Sequence, residues 1–258
     1  MYEASPFLTE PPASAKLWRY MDVTKLISLL HTSSLFFVRA DRFLDSWEGA
    51  ISESNILAYQ AAAAGLPVDQ GQTLTRLPQI LRGFRKHTYI SCWHQNEFES
   101  DAMWQLYLKS DAGVAIQTTL QSLKTSLTNY NDHPVYIGSV QYLDYNTQRV
   151  PDGYSFGPFL HKRVHFVHEN EVRAIIQVVP SPRPDPKIGP GDMLHIEDDP
   201  VAEYGLTVPV DLTVLIENIY LARGTHKWIR EAIHDLLTRY QLYLTPRQSA
   251  LGDLPSIQ

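Results

Sequence analysis

Residues 17–38, LWRYMDVTKLISLLHTSSLFFV, set the terms of the fold. Leu17-Trp18-Arg19-Tyr20-Met21 has the composition of a strand. Asp22 stands where a helix N-cap belongs, and Val23, Leu26, Ile27 and Leu30 then recur at helical spacing. His31-Thr32-Ser33-Ser34 breaks the helix, and Leu35-Phe36-Phe37-Val38 resumes as a strand. A second strand–helix–strand unit spans His87 to Thr119. It has a strand over Thr88 to Trp93, a helix over Glu99 to Lys109 and a buried strand at Val114-Ala115-Ile116.

The remaining elements are placed around these two units. An acidic–aromatic loop, Asp41 to Gly49, precedes a helix over Ile51 to Ala64 that Gly65-Leu66-Pro67 ends. A further helix covers Leu74 to Arg85 despite Pro78. Thr119 caps a helix through Leu127, and Val135 to Tyr145 alternates like one longer strand. Phe159 to Glu169 reads as a helix, and Glu171 to Val179 is the clearest strand of the chain. Five prolines between Pro180 and Pro190 specify a loop. Val208 to Leu221 supplies one or two strands, and Trp228 to Tyr240 closes as an amphipathic helix with Ile229, Ile233, Leu236 and Leu237 inward. Unequal connections between strands and helices predict an α+β domain and not a doubly wound sheet. That single globular domain is expected over residues 17–245, between a flexible segment at 1–16 and a loosely attached tail at 246–258.

Bulk properties narrow the function. With 258 residues, 44% of them hydrophobic, the chain is long enough for a full core. A net charge of -6 argues against general nucleic-acid binding and against a membrane surface. Cys92 is the single cysteine, which rules out an internal disulfide and a cysteine-built zinc site. The first residues carry Glu3, Glu10 and prolines where a signal peptide would be basic and then apolar, and no apolar run reaches membrane-spanning length. A cytoplasmic location is the expectation. No phosphate loop, Gly-x-Gly-x-x-Gly, Gly-x-Ser-x-Gly or His-Glu-x-x-His occurs, so the corresponding nucleotide, hydrolase and zinc chemistries have no motif here.

Polar side chains concentrate at His161 to Arg173. If Glu171 begins a strand, Glu169, Glu171 and Arg173 share one face, and two carboxylates so placed acquire separated pKa values suited to catalysis. The bland alternative is a solvated sheet edge. On a helix, His161, His165 and His168 would share a face and suit Zn²⁺, with Glu169 as a fourth ligand; the other reading is a wet helix surface, and no metal is expected. Asp41, Asp45 and Glu48 form either a cation site or a turn anchored by Phe43 and Trp47 with its carboxylates outward.

These residues carry a resemblance. The series Leu17-Trp18-Arg19-Tyr20, Leu35-Phe36-Phe37, Asp45-Ser46-Trp47-Glu48-Gly49, Ser91-Cys92-Trp93-His94, Met103-Trp104, Gly113-Val114-Ala115-Ile116, and Lys162 with Glu169-Asn170-Glu171-Val172-Arg173 resembles a bacterial family, domain of unknown function 2971. More distantly, the order of elements is similar to that of ADP-ribosyltransferases, in which Arg19, Ser91 and Glu171 would match the first-strand, middle-strand and late-strand motifs. Glu169 would complete Glu-x-Glu. The sequence departs from that pattern where Cys92-Trp93 follows Ser91 and where Tyr20 follows Arg19.

The resemblance implies split antiparallel sheets with flanking helices and NAD as a substrate. It assigns Glu171 to the ribosyl cation and Glu169 to the acceptor as general base. Arg19 would grip a phosphate or the nicotinamide side, and Ser91 would brace Glu171. Tyr20 and Trp93 would stack on nicotinamide, and Arg39 completes the NAD-contacting set. ADP-ribosyl transfer or NAD hydrolysis in a phage-defence or toxin setting follows, with protein, nucleic acid and small molecule all open as acceptor. A metal-dependent hydrolase or nuclease on the three histidines, and a non-catalytic antitoxin-like binding module, are the competing classes.

Overall fold

The computed structural model describes residues 1–107, 112–178 and 200–251. Strand β1 (Lys16–Asp22) runs into helix α1 (Val23–Thr32), where the Asp22 carboxylate accepts the Lys25 N–H at 2.8 Å, and β2 (Ser34–Arg39) returns. Ser33 closes α1 in the left-handed region, at φ 46. Helices α2 (Glu53–Ala63) and α3 (Val68–Gly83) form a hairpin before β3 (Thr88–Gln95), α4 (Asp101–Tyr107), β4 (Gly113–Thr119) and α5 (Leu120–Ser126). Short strands β5 (Tyr136–Ser139), β6 (Gln141–Leu143) and β7 (His161–Arg163) lead to β8 (Glu171–Gln177). Then follow β9 (Gly205–Pro209), α6 (Leu212–Leu215), β10 (Asn218–Leu221), α7 (Lys227–Arg239) and β11 (Arg247–Gln248).

Nine of these strands make one branched, mainly antiparallel sheet in the order β11-β10-β4-β1-β3-β2-β9, with β8 added to β3 and β5 to β8. The branch point is β3. One edge pairs with β8 from Thr88↔Gln177 to His94↔Glu171. On the other edge β2 takes the start, at Val38↔Ile90 and Arg39↔Tyr89, while β1 takes the end, at Trp18↔His94 and Leu17↔Gln95. Residues 91–93 therefore have a strand on one side and a gap on the other, and β1 and β2 diverge from that gap.

Helices α1 and α7 cover the main core. Leu26, Leu30 and Leu237 are fully buried with Phe37, Ile116 and Ile219 from the strands, each such side chain contributing about 1.5–3 kcal/mol of transfer free energy. Ile27, predicted inward, is 42% exposed, because α1 turns Leu26, Leu29 and Leu30 to the sheet instead.

Several sequence expectations are corrected. The run from Val135 to Tyr145 is not one strand: β5 joins β8, and beyond Val140 the chain crosses to pair in parallel with β7 in a separate two-stranded sheet. Phe159 to Glu169 is not an α-helix but β7 and a short 3₁₀ helix, Val164–Glu169, closed by Asn170 at φ 37. Val164 and Val167 are exposed, so the segment has no apolar stripe to bury along a helix. Helix α3 begins at Val68, six residues before the expected start, and holds Pro78 inside. The segment before β1 lies against the domain: Tyr2 bridges Val135, and Glu10 receives both the Tyr2 hydroxyl and the Lys124 ammonium. In the tail, Arg247–Gln248 add β11 to β10. The proline-rich loop and the end of the expected Glu99–Lys109 helix fall outside the described residues.

Candidate active site

The gap between β1 and β2 opens into a cavity of about 350 Å³, within the usual range of about 300–1,000 Å³ for small-molecule sites. Its walls are strand residues: Arg19 and Tyr20 from β1, Phe36 from β2, Trp93 and His94 from β3, and Glu171 from β8. Tyr107 from α4 stands over it. A second cavity, about 460 Å³ between the α2–α3 hairpin and residues 150–158, has Asp152 as its charged group. Tyr59 and Arg149 already engage that carboxylate, so its chemistry is spent.

On one wall, Arg19 Nη1 donates to Ser91 Oγ at 2.6 Å and Nη2 to the Phe36 carbonyl at 3.2 Å, with the guanidinium 5.6 Å from the centre of the Trp93 ring. Among the described residues no carboxylate lies within ion-pairing distance of it. A half-buried guanidinium without an anion, and with donors to spare, is a seat for an anionic or carbonyl group.

The opposite wall is a chain of charges. Glu171, 7% exposed, receives Lys162 Nζ at 2.9 Å on Oε1 and Arg173 Nε at 2.5 Å on Oε2. Arg173, fully buried, reaches on to Glu48 through two bonds of 2.6 and 2.9 Å and to the Phe159 carbonyl at 2.7 Å. Lys162 also pairs with Glu169. Three carboxylates thus face two cations. Burial pushes Glu169 up to about 7, aided by its hydrogen bond to Glu171 and the negative charge there. Burial acts on Glu171 in the same direction, but the charge of Arg173, the hydrogen bond from Glu169 and the charge of Lys162 outweigh it. They hold Glu171 well below the usual carboxylate range. The two neighbouring carboxyls are thus shifted in opposite directions, Glu171 downward and Glu169 upward.

The geometry revises several assignments. Glu169 precedes the strand, yet Lys162 draws it beside Glu171, so the two converge by ion pairing and not by β alternation. Ser91 braces Arg19, not Glu171, because it stands across from Ala174 in the β3–β8 register. Arg39 is not a cavity residue: its guanidinium is closed on Asp41 at 2.6 and 3.0 Å and on the Ala202 carbonyl. Tyr20 and Trp93 both line the cavity, although the Tyr20 hydroxyl accepts from Ser100 N–H at 2.9 Å and its ring packs edge-on against Trp104.

His161, His165 and His168 do not gather. His161 is buried with Nδ1 2.7 Å from the Gly157 carbonyl, while His165 and His168 are exposed. Among the described residues no group of three His, Cys, Asp or Glu side chains is placed to hold a metal ion. The acidic loop is neither a cation site nor outward-facing: Asp41, Asp45 and Glu48 pair respectively with Arg39, Arg163 and Arg173.

Sequence reading missed Glu48 as the far end of the charge chain, since its partner lies 125 positions away and no local pattern announces it. Gly49 holds that carboxylate in place. Its φ of 68 suits glycine, and an added Cβ would lie 2.5 Å from Phe159 Cε1. Gly49→Ala is expected to cost roughly 2–4 kcal/mol, from left-handed strain plus overpacking, as measured by urea unfolding.

No family model matches the chain, and a search of the curated proteins returns no match. The resemblance to domain of unknown function 2971 therefore stands on the quoted residues alone. One solved structure is similar, that of Thermus sp. 2.9 DarT in complex with ADP-ribosylated single-stranded DNA. It aligns at 9% identity and TM-score 0.38 over 93% of this chain and 95% of that one. A likeness that loose carries no argument.

Cys92 also lines the cavity. Burial raises its thiol pKa strongly, with the Glu171 charge acting in the same direction, which disfavours the reactive thiolate. Iodoacetamide at pH 8 is expected to alkylate it at least about tenfold more slowly in the folded protein than in urea, as followed by mass spectrometry.

Proposed function

We propose that this chain cleaves the glycosidic bond of NAD, transferring ADP-ribose to an acceptor or to water. One observation carries the reading: a guanidinium with no carboxylate partner among the described residues and a buried carboxylate paired with Lys162 and Arg173 line the same cavity. Leaving of nicotinamide builds positive charge on the ribose. An oriented carboxylate stabilises that charge more in the transition state than in the ground state, and its pairing with Lys162 and Arg173 fixes its position in advance. Arg19 supplies the complementary grip on a phosphate or on the nicotinamide amide carbonyl, with Trp93 and Tyr20 as aromatic walls. Glu169, sharing a proton with Glu171 and held by Lys162, tunes the pair.

The test is release of free nicotinamide from NAD by the purified chain. Release that depends on Glu171 supports the reading. Absence of release, with no NAD binding by calorimetry, overturns it. The three-histidine hydrolase reading receives no support from the geometry.

A further inference from the structure

His94 adjoins Trp93 on β3 and stands opposite Glu171 in the β3–β8 register. It lines the cavity and is 5% exposed. Its Nδ1 lies 2.6 Å from the Glu169 carbonyl oxygen. A carbonyl only accepts, so Nδ1 carries the hydrogen, and in the neutral ring Nε2 bears the lone pair. Nε2 is buried and has no hydrogen-bond partner among the described residues. An orphaned acceptor on a residue that lines the cavity points to a ligand that donates to it.

The groups facing His94 are Glu171 from β8, Glu169 and His168 from the 3₁₀ turn, and Tyr20 from β1, whose ring centre is 6.2 Å away. Burial lowers the His94 pKa and His168 lowers it further. The bond to the Glu169 carbonyl and the charge of Glu171 oppose this without cancelling it, and the imidazole stays neutral.

We infer that His94 Nε2 is the catalytic base that takes the proton of the attacking hydroxyl or water, an inference that rests on the glycosyl-transfer reading above. The C1′–N bond of NAD breaks with its electron pair passing to the nicotinamide nitrogen, which becomes neutral. The acceptor oxygen bonds to C1′, and its proton passes to Nε2. The resulting imidazolium is stabilised by the Glu171 carboxylate and returns the proton to solvent. The products are the ADP-ribosylated oxygen, nicotinamide and one proton. Glu169 is unsuited to this step because its side chain is held by Lys162 and hydrogen-bonded to Glu171. Acceptors with an O–H fit a neutral imidazole acting as general base.

Two measurements test the assignment. In the chain labelled with ¹⁵N-histidine, without NAD, NMR should show an Nδ1–H tautomer and a pKa below 6.5 for two of the ten histidines, His161 and His94, and only one of the two signals should be lost in His94→Asn. An Nε2–H tautomer, or a charged ring at pH 7, overturns the proposal whatever the chain does with NAD. The second measurement is nicotinamide release from NAD between pH 5 and 8, with water as acceptor. Wild type should rise through an ionisation below 6.5. His94→Asn, whose amide keeps a donor where Nδ1 stood, should leave KM near its wild-type value, lower kcat by about 100-fold and lose that rise. An unchanged kcat and profile would sink the role of His94 and leave the transferase reading standing. No release by wild type removes the transferase reading itself, and His94 with it.

Discussion

Glu171→Gln is expected to reduce nicotinamide release from NAD by about 10²–10³-fold, as for loss of a preorganised electrostatic group, while the chain stays folded. The folding expectation follows from the charge chain. With residue 171 neutral, Arg173 keeps both bonds to Glu48 and Lys162 keeps Glu169, so neither cation is stranded. A stability loss of about 1 kcal/mol is the expected scale for the weakened hydrogen bonds. The variant thereby separates chemistry from folding: circular dichroism and urea midpoint near wild type, activity gone. Equal release by both proteins would show that the carboxylate does not meet the ribose. Since Glu169 lies beside it, Glu169→Gln serves as a control, expected to change the pH dependence near 7 more than the maximal rate.

The largest stability effect is expected at Arg173. Its side chain is fully buried and bridges Glu48 and Glu171, two carboxylates that are themselves nearly inaccessible. Arg173→Ala leaves both without their common partner, and breaking a buried ion pair from one side costs about 3–5 kcal/mol. The loss should be read from urea denaturation, with loss of the ordered Asp45–Gly49 loop as a local signature. Replacing the whole group, as Glu48→Gln, Arg173→Met and Glu171→Gln together, should recover much of the stability, because the desolvation of three charges is removed along with their attraction. If Arg173→Ala unfolds no more easily than wild type, the bridge is not the anchor that the distances indicate.

How much of this was legible in the sequence depends on range. The strand–helix–strand units were readable because local signals agree: Asp22 caps α1 and Thr119 caps α5 where the pattern placed them. The strand at Glu171 was readable because its β-branched, apolar run, Val172 with Ala174 to Ile176, is one that a strand buried between β3 and β5 requires. The stretch before it was not. His161, His165 and His168 imitate helical spacing, but Lys162 is pulled into a strand by two glutamates, and that tertiary ion pairing overrides a weak local preference. Arg19, Ser91 and Glu171 were singled out together; Arg19 and Glu171 line one cavity, and Ser91 bonds to Arg19. Their pairwise contacts were not foreseeable, since whether Ser91 meets Arg19 or Glu171 depends on a register that no local spacing encodes. Glu48, His94 and Arg39 make the same point in both directions.

One consequence follows from the torn edge of β3. The pocket is lined by strands β1, β2, β3 and β8 together with Phe43 and side chains of α1 and α4, and no residue of the α2–α3 hairpin lines it. Its dimensions are therefore insulated from changes of length in the connections, such as the α2–α3 hairpin. A lineage built on this scaffold is free to remodel the rim of the cavity by insertion and deletion while the chamber itself stays the same size.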